Sequence, residues 1–211
     1  MCQKTTSCLT LGALFLLGGT KILAAEQPKP GLTILVLNYA GIDDQTLRAA
    51  EGEADRILRH AGVEVGWQHC YSAAKRPETE CPDVGVSTPA LRLISHFQFV
   101  AGQVRADTMG YAIGYMMTVS WEEVQNVAQS GAGPVSQILG LTIAHELGHL
   151  LLGSAHSISG IMRARWGLED WAMARQQHLV FLPWQAAALR KELRARSETS
   201  LAARNSRQTR E

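Results

Sequence analysis

His145 and His149 stand four residues apart, with Glu146 directly after the first, in the stretch TIAHELGHLLLGSAHSISGIM. On a helix, residues i and i+4 share one face about 6 Å apart at the backbone, so two imidazole nitrogens can converge on one metal ion. Glu146 sits beside that ion but too far round the helix to be a ligand from the same face, a position that suits a base acting on metal-bound water. His156, seven residues after His149, offers a third nitrogen. The competing reading, three side chains packed for structure alone, leaves three polar groups to find partners within an apolar stretch, which is costly.

The segment resembles the metzincin zinc peptidases, whose motif runs HExxHxxGxxH and is followed by a tight turn containing methionine. His145, Glu146 and His149 match, as does the order Gly153, Ser154, Ala155, His156. The stretch S-x-S-G-I-M ending at Met162 is similar to the methionine turn, and the pair His156 and Ser157 to the matrixin branch. One departure stands out. The family places its glycine three residues after the second histidine, whereas here Leu150, Leu151 and Leu152 intervene, adding about 1.5 Å of rise and 100° of rotation before the chain leaves the helix. No tyrosine follows Met162, so the tyrosine ligand of some metzincins is absent.

The resemblance implies one Zn2+ held by His145, His149 and His156, with an open fourth position for water whose pKa falls to about 7. It further implies Glu146 as general base in peptide-bond hydrolysis without a covalent intermediate, and a peptide or protein substrate. In such enzymes the substrate pairs with an exposed edge strand, for which Gly110, Tyr111, Ala112 and Ile113 are the candidates. Two alternatives stay open. Glu169 lies twenty residues after His149, the distance at which thermolysin-like enzymes place a glutamate ligand, although G-L-E-D-W does not match their pattern. A secreted metal-binding or protein-binding module without turnover is the other, against which Glu146 speaks, since a site that only binds zinc needs no base.

Elements able to position these residues are legible from periodicity. Residues 32–39 form an apolar, β-branched run, 43–61 carry Leu47, Ala50, Ala54, Ile57, Leu58 and Ala61 at helical spacing, and 63–70 alternate like a strand. This is a βαβ unit, for which a right-handed crossover is expected. Further strands are expected over 91–100, 109–113 and 115–120, and helices over 121–130, 135–152, 168–177 and from Pro183 to about Arg196. Pro134 and Gly153 punctuate the helix that carries the histidines. The fold class is therefore α/β (α+β): a mixed, twisted sheet of about five strands, an active-site helix and a helical C-terminal part, metzincin-like in order.

At 211 residues, 46% hydrophobic and 18% charged, the chain holds one domain with its own core, placed at residues 26–196. The 20 basic against 19 acidic side chains give no nucleic-acid footprint. Residues 1–25 read as a secretory signal peptide: Lys4, an apolar run from Leu9 to Gly19 too short to span a bilayer, then Ala24 and Ala25. Export to a secreted or periplasmic location, with no transmembrane segment left after cleavage, is the expectation, and a monomer is assumed. Only Cys70 and Cys81 then remain, an even pair that implies one disulfide across a polar, turn-rich loop. Residues 197–211 read as a disordered basic tail.

Overall fold

The computed structural model describes residues 29–72, 81–97 and 108–208; the leader expected over 1–25 lies outside them. Strand β1 (Gly31–Asn38), helix α1 (Asp44–His60) and strand β2 (Glu64–Ser72) come first, then β3 (Ala90–Ile94), β4 (Gly110–Ile113) and β5 (Met116–Ser120). Four further helices follow among the described residues: α2 (Trp121–Gln129), α3 (Val135–Leu152), α4 (Leu168–Arg175) and α5 (Pro183–Gln208). The strands form one mixed sheet in the order β2-β1-β3-β5-β4. β1 runs parallel to β2 and β3, β3 runs parallel to β5, and among the described strands only β4 is antiparallel, paired with β5 from Gly110 opposite Val119 to Ile113 opposite Met116. The expected fold class is the one found.

Local chemistry explains the boundaries. Asp43 caps α1 by accepting from the Thr46 amide at 2.9 Å, and Ser120 does the same for α2 from the Glu123 amide at 3.4 Å. Each such cap is worth about 1 kcal/mol. Before α1, buried Asn38 bonds both the amide and the carbonyl of Ile42 and so holds the β1–α1 turn. Leu47, Ala50, Ala54, Ile57 and Leu58 face the core, the periodic set read from the sequence.

α3 has no polar face. From Ile138 to Gly148 every residue is buried, because α1, α2, α5 and the strands β4 and β5 surround it. By length and composition α3 is apolar enough to cross a membrane, and here it is the core helix, with Ile138, Leu139, Leu141, Ile143, Ala144 and Leu147 packed in one cluster with Val36, Leu93, Val119 and Leu189. Each fully buried large aliphatic side chain contributes about 1.5–3 kcal/mol of transfer free energy. This is the rigid platform on which the histidines are mounted.

Two boundaries differ from the sequence expectation. β3 ends at Ile94 rather than continuing to Val100: the Glu122 amide takes the Ser95 carbonyl and Phe97 turns to stack on Tyr111, while residues 98–100 lie outside the described part. α5 continues past Arg196 to Gln208, so residues 197–208 of the expected irregular tail are helical. Arg196 explains the start of that extension, since its Nη2 donates to the Leu150 carbonyl at 2.9 Å and its Nε to Glu192 at 2.8 Å. Cys70 and Cys81 are joined as a disulfide with their Cα atoms 5.6 Å apart, at the β2 edge of the sheet.

Candidate metal centre and cleft

α3 brings His145, Glu146 and His149 to its last two turns and stops at Gly153, whose φ of 89° is a left-handed conformation that disfavours any side chain. The extra residue before this glycine is absorbed at the helix end. The Gly153 amide still bonds the His149 carbonyl at 3.0 Å, and its own carbonyl accepts from His149 Nδ1 at 3.0 Å. The chain then carries His156 back over the two helical histidines. His149 Nε2 lies 3.0 Å from His145 Nε2 and 3.1 Å from His156 Nε2, and one ligand atom from each of the three residues lies within 4.8 Å of the others. Among the described residues this is the group able to hold a metal ion. Glu169, the alternative ligand, is exposed at the start of α4 and is not in that group.

Hydrogen bonding at the far ring nitrogens makes the group a ligand set. A carbonyl can only accept, so the contact of His145 Nδ1 with the Ile161 carbonyl at 2.7 Å and that of His149 Nδ1 with the Gly153 carbonyl place the protons on Nδ1. Both Nε2 atoms then carry lone pairs, and lone pairs 3.0 Å apart repel unless a cation or proton lies between them. Burial reinforces the neutral form: it pushes His145 down to about 4, overcoming the Ile161 hydrogen bond, with His149 and His156 adding to the effect. His156 is lowered by burial and by His149. Three imidazoles whose Nε2 atoms meet on one side are a donor set that zinc can take while keeping a position open.

Glu146 is 4% exposed, and burial pushes its carboxyl up to about 8. Its Oε2 has no hydrogen-bond partner, an anomaly for a buried oxygen and one that a reacting group would relieve. Gly110 of β4 packs directly on this carboxyl: a Cβ there would stand 2.8 Å from Oε1 and 2.9 Å from Cγ. The edge strand and the acid are thus in contact.

The methionine stretch forms a compact turn beneath the histidines. The Ser157 amide bonds the Met162 carbonyl at 2.8 Å, the Arg163 amide bonds the Gly160 carbonyl at 3.1 Å, and Ile161 and Met162 are fully buried. Gly148, inside the HELGH motif, leaves the space that the Met162 sulfur and the Phe181 ring occupy, so a Cβ at this position would collide with both. The H-E-x-x-H pattern leaves position 148 unspecified. Its role depends on Phe181, thirty-three residues away, and no local pattern carries that information.

A cleft of about 680 Å³ runs over the site. It is lined by Gly110, Tyr111 and Ala112 of β4, by Val127, Thr142, Arg163, Arg165, Trp166 and Trp171, and by His145, Glu146, His149 and His156. Ile113 is the member of the expected edge strand that does not line it; its side chain is exposed at 71%. Trp166 and Trp171 pack against the core and also border the cleft. Tryptophans spaced five apart after a turn give no sign of which way they face.

No protein-family model matches the chain. No curated protein matches it either. Among solved structures, the chain is similar to a zinc-dependent peptidase from Methanocorpusculum labreanum strain Z, with 16% sequence identity, a TM-score of 0.49, and coverage of 74% of this chain and 99% of that one.

Proposed function

We propose that this chain is an exported, zinc-dependent endopeptidase of metzincin type, with His145, His149 and His156 as metal ligands and Glu146 as general base. The observation that carries the reading is the meeting of three imidazole Nε2 edges beside a buried carboxyl whose Oε2 lacks a partner. Zinc at such a site supplies a Lewis acid that acidifies water and polarises a carbonyl. The chain's own part is as follows. The Ile161 and Gly153 carbonyls hold the tautomers of His145 and His149 and so aim their Nε2 atoms. β4, which among the described strands pairs only with β5, leaves an edge along the cleft on which an extended peptide can add a strand. Packing against Gly110 keeps Glu146 at the foot of that strand. With the cation beside it favouring the carboxylate, its Oε2, which has no hydrogen-bond partner, would take the proton of the attacking water and return it to the leaving amine. The disulfide and the leader-like first 25 residues both support export.

Glu146→Gln tests this. The variant is expected to bind zinc as the wild type does and to lose at least about 100-fold in cleavage of a peptide library, the scale of general-base removal. Unchanged turnover with zinc bound removes Glu146 from the mechanism.

A further inference from the structure

Trp166 stands four residues beyond Met162, outside the histidine motif, and makes two separate contacts with the machinery around His145. Its Nε1 donates to the Ile161 carbonyl at 3.1 Å, the same oxygen that accepts from His145 Nδ1 at 2.7 Å. Its ring meets the His145 imidazole edge to face, with centroids 5.6 Å apart and planes at 87°. We propose that Trp166 is a positioning residue that fixes the His145 imidazole for metal binding, by holding both its hydrogen-bond acceptor and one face of its ring. The inference rests on the metal-site reading given above.

Trp166 acts by constraint. A carbonyl oxygen has two lone pairs, and a single donor leaves it free to swing about the peptide axis. With Trp166 on one lone pair, and the Ile161 amide bonded to the Val180 carbonyl at 3.0 Å, the second lone pair is held toward His145. Ring packing removes the remaining rotation of the imidazole about its Cβ–Cγ bond. Trp166 is itself braced. Trp171 packs on it edge to face at 5.2 Å, and the loop between Arg163 and Gly167 is closed by buried Asp170, whose Oδ2 accepts from Arg163 Nη1 and from the Gly167 amide, both at 2.8 Å. His145 is the most buried of the three histidines, so it is the ligand whose misorientation water is least able to correct. Partners that orient a metal-bound histidine are worth about 10- to 100-fold in metal affinity.

The experiment uses the mature full-length protein, stripped of metal, with zinc affinity measured by chelator competition and the visible spectrum recorded after loading with Co2+. Trp166→Phe is expected to weaken zinc binding by about 10- to 100-fold and to shift the cobalt bands, while far-UV dichroism and the unfolding midpoint of the stripped protein stay as in the wild type. Incorporating 3-benzothienylalanine at position 166, which keeps the ring shape and lacks the N–H, carries the test if the phenylalanine variant does not fold; it too is expected to weaken zinc binding and shift the bands. Wild-type affinity and an unshifted cobalt spectrum with the benzothienyl side chain overturn the inference. A wild-type chain that binds no zinc overturns it together with the metal-site reading. Zinc binding ranked as expected, without any peptide cleavage, supports the inference and overturns the peptidase reading.

Discussion

The backbone of Gly110 and the carboxyl of Glu146 are packed so closely that a methyl group on the glycine would lie 2.8 Å from Oε1. An edge strand and a buried carboxyl, thirty-six residues apart in sequence, therefore share one contact, and the space for Glu146 is defined by the absence of a side chain at Gly110.

Gly110→Ala is expected to displace the Glu146 carboxyl while leaving the fold and zinc affinity intact, because the colliding atoms are the far end of one side chain and not backbone. Misplacement by about 1 Å costs on the order of 100-fold in turnover. Peptide cleavage measured beside chelator competition checks it. Full activity in the alanine variant would show that Glu146 has room to move.

For the third ligand, His156→Ala is expected to lower zinc affinity by orders of magnitude and Glu169→Ala to leave it nearly unchanged. His156 Nε2 lies 3.1 Å from His149 Nε2, whereas Glu169 is exposed and outside the group. Chelator competition on both purified variants decides the ranking, and the reverse order would place the protein with the thermolysin-like hydrolases.

Glu51 gives a pH signature separate from the metal site. It is buried on α1, and burial, with Asp55 adding and Arg48 opposing, raises its carboxyl from 4.5 to about 7. His69 Nε2 stands 3.2 Å from its Oε1, but partial burial lowers the basicity of that imidazole, so it is a neutral neighbour and not a counter-charge. The folded chain thus holds a proton on Glu51 that the unfolded chain releases near 4.5, and this group's contribution to stability is full below that pH and lost as the pH rises through about 7. Glu51→Gln is expected to gain stability over the wild type progressively across that window. Denaturant unfolding at several pH values checks the sign; a difference independent of pH contradicts it.

The Cys70–Cys81 bridge joins two cysteines eleven positions apart at the edge of the sheet opposite β4. Its reduction is expected to cost about 3 kcal/mol of stability through the freed chain entropy, with turnover per folded molecule unchanged. Non-reducing peptide mapping of exported protein should yield the two cysteines linked, and unfolding with and without reductant gives the cost. Free thiols at both positions would contradict the pairing.

Much of this molecule is written locally. The helix over Val135–Leu152 agrees end to end with its apolar run, its proline start and its glycine stop, because helix limits are set by backbone geometry within a few residues. The i, i+4 histidines and the return of His156 were legible for the same reason, as were the sheet class and the cysteine pair. Residues 197–208 were misread because a run of Ser, Arg and Thr carries little helical signal, whereas in the folded chain Arg196 at its start is anchored to the Leu150 carbonyl across 46 residues. Chain separation also hid Gly110 against Glu146, Gly148 against Met162 and Phe181, and Trp166 against His145. A glycine that must be bare, or a tryptophan that must face one histidine, is specified by atoms arriving from elsewhere in the chain. The sequence by itself determined which groups are candidates for chemistry and which elements carry them; their distances and the support behind them were decided only when close packing brought distant segments into contact.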